Sequence, residues 1–149
     1  MSAPILLTKL FVPVVRPELV SRSHLVDQLN NGLHRKLSLI SAPAGFGKTT
    51  LVSHWVETLR EKDEIDGLPL QVAWLSLDED DNDPTRFLAY FIAALNQGKT
   101  SGAVLGETVT SMLHAAQPPP IEDVLIALIN KITACRQHVV LVLDDYHLI

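Results

Sequence analysis

Apolar residues along this chain fall into two alternating rhythms, short continuous runs and stripes at helical spacing, and the alternation predicts an α/β architecture. Leu37-Ser38-Leu39-Ile40 predicts a strand over 37–41, and Leu51, Val52, Trp55, Val56 and Leu59 make one inward face of a helix over 48–60. A polar loop from Glu61 to Pro69 leads to Leu70–Leu77, a second strand in which Gln71 suggests that one end lies near water. Phe87, Leu88, Phe91, Ile92 and Leu95 then repeat at helical spacing, a stripe read as core rather than cofactor contact. Val124, Leu125, Leu128, Ile129 and Ile132 predict a helix over 121–134, and Val139–Leu143 is an unbroken apolar run, as in a strand buried on both faces. Upstream, Leu25, Val26, Leu29 and Leu33 mark a helix over 24–33 that Ser21 or Ser23 would cap and Gly32 would weaken at its end. Residues 97–120, with three glycines and Pro118-Pro119-Pro120, are the least legible, with a short helix near 107–116. Residues 1–22 read as an extended, proline-punctuated arm, and 23–149 as the N-terminal part of one α/β domain.

The candidate chemistry sits where strand 37–41 would meet helix 48–60. Ala42-Pro43-Ala44-Gly45-Phe46-Gly47-Lys48-Thr49-Thr50 matches G-x-x-x-x-G-K-[ST] except that Ala42 holds the first glycine position. Such a loop turns several backbone N–H groups toward one anion, and the helix that follows adds its unpaired amides and positive dipole end. Gly45 and Gly47 permit the tight wrap; Lys48 reaches the β- and γ-phosphates, and the Thr49 hydroxyl is a ligand for the accompanying Mg2+. Ala44 to Thr50 are therefore the predicted nucleotide-binding positions, with Thr50 continuing the helix. The bland alternative is a surface turn that happens to contain Gly-x-Gly-Lys.

Asp144 and Asp145 close the last apolar run, where the carboxyl end of a parallel strand faces a ligand crevice. Asp144 is the predicted metal-holding carboxylate, and Asp145 the group that orients or deprotonates a water near the γ-phosphate. A turn pair or helix cap is the alternative for both. Asp78–Asp83 tempts toward a calcium loop, but Asp83 falls where the turn glycine belongs and Ala89 where the bidentate glutamate belongs. Asp83 instead reads as the N-cap of a helix opening at Pro84.

With 149 residues, 47% of them hydrophobic, the chain is one globular domain or part of one. No apolar run approaches the roughly 20 residues of a membrane span and the start lacks a secretory layout, so a cytoplasmic location is expected. The single cysteine, Cys135, permits no internal disulfide, and the six histidines have no ligand spacing. A net charge of −5 with scattered basic residues argues against nucleic-acid binding by this segment.

Four separated motifs carry a resemblance: the phosphate loop, Trp74-Leu75-Ser76-Leu77-Asp78-Glu79 with Asp81-Asn82-Asp83, Leu143-Asp144-Asp145-Tyr146-His147-Leu148-Ile149, and the arm's Thr8-Lys9-Leu10, Pro13, Arg16 and Leu19-Val20-Ser21-Arg22. Together they resemble the nucleotide-binding domain of MalT-like, LuxR-family transcriptional activators, which are similar to STAND-class signalling ATPases. The resemblance implies a P-loop NTPase three-layer fold with a mostly parallel sheet, stopping after the strand that carries the paired acids (Walker B). It also implies base or ribose contacts from Val20, Ser21 and Arg22, and ATP or ADP with Mg2+ as ligand. A distant DNA-binding module and self-association belong to the rest of such proteins.

The function this implies is an ATP-binding signalling domain in which nucleotide acts as a conformational and oligomerisation switch, with slow hydrolysis at most. Two alternatives stay open, a turnover ATPase or kinase and a fragment serving only as an interaction module. The class also places a later-arriving strand between strands 37–41 and 138–144, so a gap with unpaired edges is expected here. Such a chain would be unstable, self-associated, or rearranged so that the two strands pair directly.

Overall fold

The computed structural model describes residues 4–16, 20, 22–97 and 107–149. The chain divides into two compact units, one comprising Met1–Phe11 with Glu64–Ile149 and the other Val12–Asp63.

The larger unit is built on a three-stranded sheet in the order β1 (Glu64–Ile65), β2 (Leu68–Ser76), β3 (His138–Asp144). β1 and β2 form an antiparallel hairpin through Asp66 and Gly67, whose φ angles of 51° and 76° are the paired left-handed conformations of a tight hairpin turn. β2 and β3 run parallel in register from Leu70↔His138 to Ser76↔Asp144. Among the described residues, three α-helices lie between them in sequence, α3 (Pro84–Asn96), α4 (Glu107–Leu113) and α5 (Ile121–Ala134). The Asp83 carboxylate accepts from Arg86 N at 2.7 Å and Pro84 occupies the first turn, so α3 starts where side-chain chemistry predicts. Ala73, Leu75, Leu88, Ile92, Leu95, Val109, Val124 and Leu128 are the centre of the core, joined by Leu10 from a 3-10 turn at Leu7–Leu10. Gln71 is buried, its amide donating to the Leu95 carbonyl, so the polar residue of β2 is a satisfied core group and does not mark a wet strand end.

Among the described residues, the smaller unit holds two helices, α1 (Ser23–Gly32) and α2 (Lys48–Arg60). Val52, Trp55, Val56 and Leu59 are the buried face of α2, and Trp55 Nε1 donates to Asn30 Oδ1 of α1 at 2.9 Å. The residue preceding α1 is Arg22, which makes no side-chain cap; Ser23 is already helical.

The sheet corrects the expected fold. A three-layer P-loop architecture with a mostly parallel sheet is not what the chain forms: among the described residues the sheet has three strands, is mixed, and contains a single parallel pair. Residues 37–41 join no ladder, and Leu37 and Leu39 are 82% and 80% exposed. An apolar run becomes a strand only when neighbours take up its N–H and C=O groups and cover its faces, and here neither happens. Of the three outcomes expected for such a gap, direct pairing of 37–41 with 138–144 is not found among the described residues; β3 pairs with β2.

Candidate functional site

The predicted phosphate loop lies wholly within the smaller unit. Gly45 and Gly47 have φ of 84° and 75°, so both glycines occupy the left-handed region that a side chain resists. Gly47 is the N-cap of α2, and its carbonyl accepts from Leu51 N at 2.9 Å, so the helix begins at Lys48 with no capping side chain. Phe46 N donates to the Pro43 carbonyl at 3.4 Å, closing the turn. Lys48 bends back over the loop: its ammonium donates to the Ala42 carbonyl and, at 3.3 Å, to that of Pro43. A second cation arrives from the segment before α1, where Arg22 Nη1 donates to the Phe46 carbonyl at 2.9 Å. Any Cβ on Gly47 would stand 3.3 Å from Arg22 Nη2, so the glycine also lets the guanidinium lie close to the backbone.

Two cationic side chains, the open end of a 13-residue helix and two left-handed glycines therefore share one short loop. This donor set fits a phosphate group, which takes hydrogen bonds from backbone amides and charge from lysine and arginine. Thr49 and Thr50 lie half-buried in the first turn of α2. The exposed Val20 and Arg22 bracket Ser21, which lies outside the described residues; Ala44 and Phe46 are exposed in the loop.

Asp144 and Asp145 belong to the larger unit. Asp144 is the last residue of β3, opposite Ser76, and its carbonyl accepts from Leu77 N at 3.0 Å. Its carboxylate accepts from Asp145 N at 3.1 Å. Asp145 has φ of 56° and precedes a 3-10 turn at Tyr146–Leu148, so one of the pair ends the strand while the other makes the turn.

The acidic stretch after β2 has a structural role that the sequence did not reveal. Asp78 and Asp81 form a capping box on the 3-10 turn Glu79–Asn82. Asp81 is fully buried, and it meets two cations: Lys9 from the N-terminal turn and Arg86 Nε of α3 at 3.2 Å. Lys9, only 7% exposed, also donates to Asp78 at 2.8 Å and sits 4.4 Å above the Tyr90 ring, while the Tyr90 hydroxyl accepts from Leu6 N at 3.1 Å. Burial opposes charge on Lys9, but its hydrogen bonds to Asp78 and Asp81 outweigh that and raise its pKa. The same contact, Lys9 foremost, holds the Asp78 carboxyl below the usual carboxylate range. Asp78 and Asp81 carry a readable signal, an acid three residues after a potential N-cap; the partner Lys9, 72 residues away, carries none.

No protein-family model matches the chain. It is, however, similar to a transcriptional regulator of the HTH type. That relative is MalT of Cronobacter sakazakii (strain ATCC BAA-894), 37% identical over 142 residues, which is 95% of this chain and 14% of the regulator. The chain thus spans a small part of its relative's length. Among the described residues, no helix is long and apolar enough to cross a membrane.

Proposed function

We propose that this chain is the nucleotide-binding segment of a MalT-like transcriptional regulator, with the loop Ala42–Thr50 holding the phosphates of ATP or ADP. The observation that carries this reading is the convergence of Lys48 and Arg22 on a loop whose Gly45 and Gly47 are left-handed, directly before α2. Backbone amides of the loop and of the first turn of α2 would bind the phosphate oxygens, with Lys48 supplying charge. The Thr49 hydroxyl would be a ligand for the Mg2+ that accompanies the nucleotide. Asp144 and Asp145 are candidates for metal binding and for orienting water. Nucleotide serves chiefly as a conformational ligand that sets self-association in the longer protein, and DNA recognition belongs outside this segment. Likeness to a regulator supports this choice over a turnover enzyme.

Calorimetric titration of the chain with MgADP and MgATP tests the reading, with Lys48→Ala as the control variant. Binding by the native chain and none by Lys48→Ala, at unchanged circular dichroism, is the expected result. Equal affinity in the variant would remove the loop from consideration.

A further inference from the structure

The N-terminal arm is anchored in the larger unit by a charged group, although apolar side chains are plentiful beside it. Leu6, Leu7, Leu10 and Phe11 flank Thr8 and Lys9, yet only Leu10 is buried, while Leu6, Leu7 and Phe11 are 57%, 54% and 54% exposed. Hydrophobic burial alone does not choose among such neighbours, since each would remove a similar apolar area from water. Lys9 makes the choice. Its ammonium meets Asp78 at 2.8 Å and the buried Asp81, and it lies over the ring of Tyr90, whose hydroxyl accepts from Leu6 N. A slip of one residue would set Thr8 or Leu10 against the two carboxylates and leave the ammonium without them. The ion cluster therefore fixes register, the best-attested use of buried charge.

Within the smaller unit the same arm forms a wall. Pro13 to Arg16 line one side of an open depression of about 310 Å³, and Thr49, Thr50 and Ser53 of α2 line the other. Thr49 and Thr50 lie in the first turn of α2, the turn whose amides and dipole end accompany Lys48 in the phosphate-binding donor set. Only Phe11 and Val12 separate Leu10 from Pro13, so the anchored residue is connected to the wall by at most about 11 Å of extended chain. The ring of Pro13 fixes its φ, which leaves little slack. A one-residue change of register at Lys9 would move the wall by about 3.5 Å along α2 or pull it away.

We propose that Lys9 is a positioning residue for the phosphate loop: by fixing the register of the arm on the larger unit, it fixes Pro13–Arg16 along the first turn of α2 and holds that turn in its phosphate-binding form. The proposal rests on the phosphate-loop reading above. Lys9 touches no ligand in it and acts through the short link Phe11-Val12. With the arm released, only a fraction of molecules has the turn in place, and the affinity for any phosphate ligand falls by that fraction. Lengthening the link has the same effect without disturbing the cluster, because the entropy of closing a loop grows with its length.

The test compares the native chain with Lys9→Met and with a variant carrying about eight Gly/Ser residues between Phe11 and Val12, enough to lengthen the two-residue link about fivefold. Each is titrated with MgADP and with magnesium tripolyphosphate, which has the anion and no nucleoside. Both variants should bind both probes about three- to tenfold more weakly than the native chain, the tenfold limit being the closure penalty of the longer link. Hydrogen exchange supplies a readout without ligand: the Leu51, Val52 and Ser53 amides of α2 should exchange faster in both variants, while β2 and β3 stay as protected in the insertion variant as in the native chain. Native affinity and native exchange in both variants, while Lys48→Ala abolishes binding, overturns the positioning role and leaves the loop reading intact. Weakening by Lys9→Met but not by the insertion overturns it as well, since the lysine would then act only through the stability of the larger unit. Weakening of MgADP alone overturns it too, because the arm would then serve the nucleoside and not the turn. Failure of the native chain to bind either probe overturns the loop reading and the proposal together.

Discussion

The cluster of Lys9, Asp78, Asp81 and Arg86 should be the most sensitive ionic site in the larger unit, and its response to mutation can be ranked from the geometry. Asp81→Ala removes a side chain with no exposure, which accepts from Lys9, from Arg86 Nε at 3.2 Å and from Asp78 N at 2.9 Å. Breaking a buried ion pair by deleting one partner costs about 3–5 kcal/mol. Here Lys9 keeps Asp78 at 2.8 Å, which places the electrostatic loss at the lower end, but the capping box is lost as well, adding about 1 kcal/mol. The sum, about 4 kcal/mol, is a large fraction of the 5–15 kcal/mol typical of a domain. Lys9→Met should cost less, about 2 kcal/mol, because the thioether keeps the packing of the lysine stem and Asp81 retains Arg86 and a backbone donor.

Urea unfolding followed by tryptophan fluorescence is the assay, in a Trp55→Phe background so that the buried Trp74 of the larger unit reports alone. The double variant Lys9→Met/Asp81→Ala should lose clearly less than the two single losses added, because it removes both charges together. A loss under 1 kcal/mol for Asp81→Ala, or strict additivity in the double variant, would refute the claim that this cluster acts as a unit. The pH profile supplies an independent check. Asp78 has a depressed folded pKa, so its contribution is present above the ordinary carboxylate value of about 3.9 and is lost as pH falls through the folded one. Lys9 has a raised folded pKa, so its contribution is present below about 10.4 and is lost as pH rises through the folded value. Lys9→Met should flatten both arms of the profile.

Other expectations follow from single residues. Gly67→Val should cost at least about 1 kcal/mol in urea unfolding, because φ of 76° opposes a β-branched side chain, whereas Asp66→Gly should be neutral or better. Asp144→Asn should weaken the Mg2+ dependence of nucleotide binding in calorimetry, while Asp145→Asn, which tolerates the left-handed turn, should spare binding and slow any hydrolysis. The reverse pattern would exchange the roles assigned to the pair. Anisotropy titration of promoter DNA should yield only weak association that fades with salt, given the net charge of −5; a salt-resistant, sequence-selective complex would contradict this.

The helices were legible because their periodicity and their boundaries agree. α3 has an Asp83 cap and Pro84 in its first turn, and α5 runs over the same residues, 121–134, that its apolar spacing marks. β3 was legible from an unbroken apolar run. Leu37–Ile40 has a similar local signature, interrupted by Ser38, and is no strand, since pairing depends on neighbours that a run of four residues does not encode. The β1–β2 hairpin did have a local signal, Asp66-Gly67 between short apolar stretches, but the surrounding charges made the segment read as a polar loop. Lys9 illustrates the opposite limit, a charged residue in a proline-punctuated arm whose burial is decided by two carboxylates some seventy positions away.

The loop's own bonds bear on how a ligand could act there as a switch. Lys48 donates to the Ala42 and Pro43 carbonyls and Arg22 to that of Phe46, so each cation is already engaged with loop backbone. A phosphate group must draw Lys48 away from those neutral acceptors, exchanging hydrogen bonds in which only the ammonium is charged for ones in which both partners are. Binding and loop conformation are then linked, and the nucleotide shifts the loop by no more than the difference in its affinity for the two arrangements. Arg22 is the residue through which that shift can leave the loop, because it connects the Phe46 carbonyl to the N-cap of α1. Arg22→Ala should therefore affect how nucleotide binding changes the exchange of α1 backbone amides more than it affects affinity itself. Hydrogen exchange with and without MgADP reads this directly, and protection of α1 that responds to nucleotide equally in the native chain and in Arg22→Ala would mean that the arginine only fastens the loop.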